Sequence, residues 1–409
     1  MHQRHRIQVF EHSFLPLGIS GFEKRHFVAL SKLNALHKYQ YFDLKHNGVV
    51  FKQFVGVIHV NGLTIEILPK IDRYENEDEV NKKKWQNVLI EMLRVTKKLK
   101  IQQVGQAHVS KQSIHLLDIY FEWFLNEVHL LIHQGLIKQY YKQTENVKAL
   151  KGKLEFAGHI HENLVHKERF YTTHQVYEKD HLIHQILAQA LEIVEHVSRG
   201  SYLYSKCKTV QFDFPEVRLI KATENTFSKL PKTRKTAPYD TALQIARLII
   251  LNYAPHVKSG SENMLALLFN MNSLWEEYIL VSLKKACYSS EIEVFAQNSK
   301  SFWNGISIRP DIVLKRGEEV LVIDTKWKDI DQSQPSTHDL RQMYVYNDYW
   351  KSSKSILLYP AQFTNIRYDS FICFDDREHS CSIGKLNIVD EKGNLRQNIS
   401  EEIIALLFN

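Results

Sequence analysis

The chain has 409 residues, 44% of them hydrophobic, so it is long enough for two or three domains with buried cores and is not expected to be disordered. Its formal net charge of +7 favours anionic partners, although a solvated basic surface would explain the excess of positive charge equally well. Four scattered cysteines without a CxxC pair argue against a disulfide framework and a cysteine zinc site. We expect a cytoplasmic protein without a membrane span, because no signal-peptide pattern is seen and the most apolar long segment contains acidic residues.

The first eighty residues are rich in strand signals. Asn47-Gly48 and Asn61-Gly62 each stand near β-branched or aromatic residues, a pattern that predicts two hairpins. From Leu63 to Ile67 apolar and polar residues alternate, as they do in a half-buried strand. Residues 1–80 are therefore predicted to form a β-rich domain.

The middle of the chain is predicted to be mostly helical, over residues 81–240. Apolar residues recur at helical spacing near Trp85–Leu99, and Ile114–Gln134 and the segment "DHLIHQILAQALEIVEHVS" are also expected to be helices. The main domain boundary is expected either near Ser228–Asp240 or after the following helix, near Ser259-Gly260.

The last part, residues 241–409, alternates between helices and strands. A helix in "MNSLWEEYILVSLKKAC" precedes strands at Ile292–Ala296, Ile306–Leu314 and Glu319–Trp327. The helix "STHDLRQMYVYNDYW", opened by a capping serine, and the strand "SILLYP" follow. This order predicts a mixed sheet flanked by helices, so the whole chain is an α+β multidomain protein.

Two aspartates and a lysine interrupt the apolar strands of "ISIRPDIVLKRGEEVLVIDTKWK", which runs from Ile306 to Lys328. If the strands pair symmetrically about Gly317 and Glu318, position 311 falls opposite position 324. Directly opposed residues have Cβ atoms about 5 Å apart, so Asp311 and Asp324 would lie side by side. Strand side chains repeat every second residue, which places Lys326 on the same face as Asp324.

Such a pair of carboxylates suits a hard divalent cation that relieves their repulsion, and a nearby lysine can stabilise charge developing on phosphate. The alternative is a structural ion pair between Lys326 and one aspartate. Two other D-x-K tripeptides, at Asp43 and Asp390, run into turns without a second aspartate opposite them. The hairpin therefore favours a catalytic metal site.

"RPD…VIDTK" resembles the PD-(D/E)XK nuclease signature, which implies a restriction-endonuclease-like fold. By this resemblance Asp311 and Asp324 are metal ligands, Lys326 is the catalytic lysine, and the metal is Mg²⁺, with Mn²⁺ as the alternative. The superfamily often adds a glutamate from a preceding helix, here Glu276 with Glu277 as its rival. It also often adds a glutamine from a following helix, here Gln342, with Tyr346 on the same helix face.

"MNSLWEEY", "RPDIVL", "VIDTKWK" and "DLRQMYVY", in this order, resemble the McrC family, the nuclease subunits of modification-dependent restriction systems. "FVGVIHVNGLTIEILPKI" and "LKGKLEF…HENLVHKERF" are also similar to that family. The resemblance implies a DNA endonuclease that cuts double-stranded, modified DNA with an McrB-like AAA+ GTPase partner whose hydrolysis it stimulates. It implies that residues 1–80 dock into this partner. The alternative function is a non-catalytic adaptor that only activates the partner.

Overall fold

The computed structural model describes residues 5–36, 40–71, 77–98, 115–254, 264–328, 330, 334–352, 354–371 and 380–408. The chain forms two compact units. One is the continuous segment Leu117–Leu265, and the other combines Arg4–Leu116 with Ala266–Asn409.

The N-terminal segment of the second unit is rich in strands, as predicted. Its described elements are β1 (His5–Phe10), β2 (Phe14–Pro16), α1 (Lys24–Leu36), β3 (Phe42–Lys45), β4 (Gly48–Phe51), β5 (Phe54–Val60), β6 (Leu63–Leu68) and α2 (Glu79–Val95). β1 pairs in parallel with β6, which pairs antiparallel with β5, while β2, β4 and β3 form a separate antiparallel sheet.

Both predicted hairpins are confirmed. Asn61 and Gly62 form the turn between β5 and β6 with φ values of 49° and 81°, the left-handed conformation that favours Asn-Gly in two-residue turns. The other hairpin turns one residue earlier than its Asn-Gly pair, because Gly48 already pairs with Lys45. A Cβ atom at Gly48 would lie 2.3 Å from the backbone oxygen of Leu15, so the close approach of β2 requires glycine there.

The expectation that β6 is half-buried is wrong. All six of its residues are buried, because it lies between two strands and its polar face is also covered. Gln86 of α2 donates to both carboxylate oxygens of Glu66, at 3.0 and 2.9 Å, and Gln8 of β1 donates to Oε2 at 2.7 Å. These hydrogen bonds to the Glu66 carboxylate replace the water that the alternating sequence pattern predicts around it.

The described part of the continuous unit is mostly helical and contains a small sheet of its own. Its elements are α3 (Leu116–Gln134), β7 (Gln139–Val147), β8 (Lys153–Leu154), α4 (Phe156–Glu162), β9 (Phe170–Glu178), α5 (Leu182–Ser198), α6 (Tyr202–Asp213), α7 (Glu224–Ser228), a 3₁₀ turn (Ala237–Tyr239), α8 (Asp240–Leu251) and β10 (Tyr253–Ala254). β7, β9 and β8 form an antiparallel sheet. The predicted helices at Ile114–Gln134 and in "DHLIHQILAQALEIVEHVS" are confirmed within the described residues.

The C-terminal segment follows the predicted order of helices and strands. Its described elements are β11 (Met264–Asn270), α9 (Met271–Ala286), β12 (Ile292–Ala296), β13 (Lys300–Trp303), β14 (Ile306–Ile308), β15 (Ile312–Arg316), β16 (Glu319–Thr325), α10 (Thr337–Trp350), β17 (Lys354–Ala361), β18 (Asn365–Ser370), β19 (Ser380–Asn387) and α11 (Ile399–Phe408). A six-stranded mixed sheet has the order β12-β15-β16-β17-β19-β18, with β16, β17 and β19 parallel. The expected α+β architecture with a mixed sheet flanked by helices is confirmed.

The prediction that Ile306–Leu314 forms a single strand is wrong. It is divided into β14, which pairs with β13, and β15, which pairs with β12 and β16. Pro310 lies between them and is buried. Because proline has no backbone N–H to donate, it ends one ladder and lets the chain change sheets immediately before Asp311.

The boundaries of the two units differ from those of the predicted domains, which are 1–80, 81–240 and 241–409. β11 lies next to β5, and a Cβ atom at Gly56 would come within 2.1 Å of the backbone oxygen of Leu267. This pairing joins the first segment to the last in one unit. The alternative boundary at Ser259-Gly260 lies outside the described residues, and the three-domain division stays a prediction.

The core beneath the candidate site lies between the mixed sheet and α10. Val313 of β15, Val322 of β16 and Leu357 of β17 pack against Met343 and Tyr346 of this helix. The helix is capped as predicted, with the Ser336 side chain accepting from the backbone N–H of residue 339. Residue 311 is two positions from residue 313, and residue 324 is two positions from residue 322. Because side chains along a strand alternate between its faces, the sheet face that packs on α10 continues into the site.

Candidate active site

The two aspartates lie at the end of the β15–β16 hairpin. Antiparallel pairs run from Arg316↔Glu319 to Ile312↔Ile323, with Gly317 and Glu318 as the turn, so the predicted register is confirmed. One further step of this register sets Asp311 opposite Asp324. The short apolar strands therefore bring together two carboxylates that are 13 positions apart in the chain.

Asp311 is held by the residue between Asp324 and Lys326. Its Oδ2 accepts a hydrogen bond from the backbone N–H of Thr325 at 2.7 Å and another from the Thr325 hydroxyl at 2.9 Å. Thr325 is buried, whereas Asp311 is half-buried. These bonds fix the Asp311 carboxylate beside the end of β16. The sequence analysis missed this role of Thr325, and its position inside the D-x-K tripeptide was the available signal.

Asp324 is buried, with 1% of its surface exposed. Its Oδ2 lies 2.6 Å from Nζ of Lys326, and its Oδ1 accepts from Nε2 of Gln342 at 3.3 Å. The lysine therefore projects to the same face as Asp324, as predicted. The ion pair that the structural alternative requires is present as well, so geometry alone does not separate the two interpretations.

Burial and charge together perturb the titration of this pair. Burial, reinforced by the charge of Asp311, raises the pKa of Asp324 from 3.8 to about 7, although Lys326 opposes this rise. Burial lowers the pKa of Lys326, but the carboxylates around it outweigh burial and leave the pKa raised. Lys326 is thus a cation at neutral pH, whereas Asp324 holds its negative charge at a cost in free energy.

Glu276 and Glu277, on α9, have different surroundings. Glu276 accepts a hydrogen bond from Nε2 of Gln297 at 2.8 Å, and burial, together with the charge of Asp311, raises its pKa. Glu277 instead forms an ion pair with Lys98. The electrostatic link to Asp311 therefore favours Glu276 as the third carboxylate of the site. Gln297, which positions it, was not found by sequence reasoning.

Gln342 connects α10 to both sides of the site. Besides its contact with Asp324, its Nε2 donates to the Tyr346 hydroxyl at 2.7 Å, and this hydroxyl donates to the backbone oxygen of Arg309 at 2.8 Å. Gln342 and Tyr346 share one helix face, as predicted. The chain of bonds ties the helix to the turn that delivers Asp311.

The donor atoms of the site fit a divalent cation in their chemistry but not in their spacing. Among the described residues, no group of three or more His, Cys, Asp or Glu side chains is spaced to hold a metal ion. The chemistry of the donors nevertheless fits a hard cation, because Asp311, Asp324 and Glu276 are carboxylates. The charge of Asp311 raises the pKa of both other groups. A bound cation would remove this repulsion, which Lys326 relieves only in part.

The known proteins that this chain resembles include restriction-system components. A family model described as "McrBC 5-methylcytosine restriction system component" matches residues 49–360. The "Type IV methyl-directed restriction enzyme EcoKMcrBC" of Escherichia coli (strain K12) is 22% identical over 298 residues, which are 66% of this chain and 84% of that protein.

Solved structures share the fold. A chain from an assembly of Thermococcus gammatolerans McrB AAA+ hexamers with bound McrC matches with a TM-score of 0.71 and 18% identity, over 98% of this chain and 100% of that one. A chain from the cryo-EM structure of the Thermococcus gammatolerans McrBC complex matches with a TM-score of 0.50 and 18% identity, over 68% and 87%. In the part of this chain that the structure describes, no helix combines the length and apolarity needed to cross a membrane.

Proposed function

The chain belongs to the McrBC 5-methylcytosine restriction system component family, and from this premise we propose that it is the metal-dependent DNA endonuclease subunit of such a system. The supporting observation is the hairpin register that sets Asp311 opposite Asp324, with Lys326 beside them. Paired carboxylates with an adjacent lysine suit phosphodiester hydrolysis, in which negative charge develops on the phosphate. The substrate of this proposal is double-stranded, modified DNA in the cytoplasm.

In this proposal Asp311, Asp324 and Glu276 hold Mg²⁺, with Mn²⁺ as a second cation of suitable chemistry. When bound, such an ion polarises a phosphoryl oxygen and lowers the pKa of a bound water. The chain itself supplies the orientation. Thr325 fixes Asp311 and Gln342 holds one oxygen of Asp324, so the chain orients two of the three carboxylates, although the three would have to move closer together to hold one ion.

Lys326 supplies positive charge at the same position. Its side chain is a quarter exposed, and its Nζ lies 2.6 Å from the buried Asp324 carboxylate, so the lysine lies at the boundary between the site and solvent. Its raised pKa keeps it protonated at neutral pH. It can therefore stabilise a phosphate as negative charge grows on it, while a cation takes over neutralisation of Asp324.

We propose as partner an AAA+ GTPase similar to the McrB of the Thermococcus gammatolerans assembly. No P-loop motif is present in this chain, so nucleotide hydrolysis would belong to the partner. The docking of residues 1–80 into that partner stays a prediction.

The test is cleavage of modified plasmid DNA with magnesium, with and without the partner GTPase. Asp324→Asn is expected to abolish cleavage while keeping the stimulation of GTP hydrolysis. Asp390→Asn is the matched control, since Asp390 opens another D-x-K tripeptide but is exposed and accepts from the backbone N–H groups of Lys392 and Asn394 in its own turn. Cutting that survives Asp324→Asn would refute the catalytic assignment and leave the adaptor function. A chain that fails to stimulate the GTPase would refute the partner.

A further inference from the structure

A cleft of about 770 Å³ adjoins the carboxylate site. Two of its lining residues, Gln297 and Gln342, are the ones that hydrogen-bond Glu276 and Asp324. A molecule that fills the cleft is therefore one side chain away from two of the proposed metal ligands. Its volume lies within the range of about 300–1,000 Å³ that ligand sites commonly have.

The charges that line this cleft are positive. Arg309 and Arg341 contribute two guanidinium groups and His338 an imidazole, whereas no acidic residue of the described segments lines it. All three side chains are exposed, and neither arginine forms an ion pair with any residue that the structure describes. Arg309 acts electrostatically on the Glu276 carboxylate, whose pKa it lowers, but neither guanidinium group is engaged in an ion pair with a described carboxylate, so both suit the bidentate recognition of phosphate. The cleft is thus complementary to an anionic ligand.

The β13–β14 hairpin forms one wall of the cleft, and the ring of Phe302 is the aromatic group that it contributes to the lining. Its base is fixed to the end of α10, because Lys300 donates to the backbone oxygen of Tyr349 at 2.6 Å and the Phe302 ring contacts the Tyr349 ring. A bulge between Ser301 and Trp303 interrupts the pairing, and bulges next to active sites often re-aim side chains. Trp303 follows Phe302 at this bulge; it is not one of the lining residues, and 70% of its surface is exposed.

We propose that this cleft holds the DNA strand next to the bond that is cut, with a backbone phosphate between Arg309 and Arg341, and that the strand continues onto the hairpin, where an unstacked base lies against Trp303. The inference rests on the proposed function, since it names how the substrate meets the same site. Its physical basis is a cationic groove combined with an exposed aromatic ring, the pairing by which proteins hold single strands without sequence preference. Trp303 and the two arginines are positioning residues in this scheme, because they would act on nucleotides beside the reacting phosphate.

Trp303 can be observed directly. The chain has six tryptophans, and the other five are buried, with exposed fractions between 0 and 8%. Quenching of the exposed fluorescence by acrylamide therefore reports on Trp303. In buffer with a metal chelator, where DNA would stay uncut, titration of the full chain with a short single-stranded oligonucleotide is expected to quench this fluorescence and to protect it from acrylamide. A duplex of the same sequence is expected to do so more weakly, because its bases stay stacked.

Variants test the two halves of the proposal separately. Trp303→Ala is expected to weaken single-strand binding about 5- to 150-fold, the range that loss of one base–aromatic stack produces. Tyr288→Ala is the matched control, since Tyr288 is 90% exposed in the same compact unit and should leave binding unchanged. Arg309→Ala and Arg341→Ala are each expected to reduce the salt dependence of log K by about 0.7, the value for one phosphate contact with a single strand.

Equal binding by Trp303→Ala and the wild type, or acrylamide access to Trp303 that DNA leaves unchanged, would overturn the inference. The test of the cleft can fail independently of the test of the proposed function. If Asp324→Asn abolishes cleavage but Trp303→Ala binds normally, only the cleft assignment fails. If Trp303→Ala weakens binding while no condition gives cleavage, the cleft is a nucleic-acid site and the nuclease assignment fails.

Discussion

Asp324→Asn is expected to stabilise the folded chain at neutral pH although it removes a proposed catalytic group. In the unfolded chain this carboxyl loses its proton near pH 3.8, whereas burial and Asp311 keep the proton on the folded carboxyl up to about pH 7. Between these values the folded state binds more protons than the unfolded state, so wild-type stability falls as pH rises. Above about pH 7 it falls no further.

The magnitude follows from the size of the shift. At about 1.4 kcal/mol per pH unit, a rise from 3.8 to about 7 corresponds to about 4 kcal/mol of free energy of unfolding that the ionised carboxylate costs. An asparagine, which resembles the neutral acid, avoids this cost. The variant should therefore exceed the wild type by about 4 kcal/mol near pH 8, but by only about 2 kcal/mol near pH 5.

The assay is chemical unfolding of both proteins in metal-free buffer at these two pH values. Asp339→Asn is the control, because Asp339 is also buried and near Lys326, yet its hydrogen bonds to Lys328 and Ser336 outweigh burial and hold its pKa below the ordinary value. Its removal should destabilise the protein at neutral pH, the opposite sign. Magnesium should stabilise the wild type by about 2.7 kcal/mol at a hundred times its dissociation constant and leave Asp324→Asn unchanged.

One result would refute this reasoning. If Asp324→Asn lowers stability by the same amount at both pH values, the ion pair with Lys326 stabilises the fold, and the carboxylate is structural. The experiment therefore separates the two interpretations of the Asp324–Lys326 pair that geometry leaves together.

Three further predictions follow from other contacts. Glu276→Gln should reduce metal-dependent cleavage at least 100-fold, whereas Glu277→Gln should leave it within about threefold, and equal losses would contradict the assignment of Glu276 to the site. Thr325→Val removes one hydroxyl bond to Asp311 while keeping the backbone bond, so cleavage should fall about 10-fold and recover in Thr325→Ser, with circular dichroism as the check on folding. Gly48→Ala should lower the free energy of unfolding by about 1–3 kcal/mol, measured by chemical unfolding, because a Cβ atom there meets a backbone oxygen at 2.3 Å.

The register of the site hairpin could be predicted from the sequence because it depends on local geometry. A two-residue turn at Gly317 and Glu318 sets which residues face each other, and the apolar runs on both sides identify the strands. From these two features alone Asp311 falls opposite Asp324, and the two-residue period places Lys326 on the same face. Rules that depend only on nearby residues were therefore enough to predict the central part of the site.

Contacts between distant segments decided the rest. Only the packed structure distinguishes Glu276 from Glu277, since the partners that separate them, Gln297 and Lys98, are remote in sequence or on another element. The same holds for β6, whose alternating pattern indicates a half-buried strand although both faces are covered. Hydrophobic periodicity reports whether a residue is apolar, whereas burial depends on which segments return to cover it, and that depends on the tertiary fold.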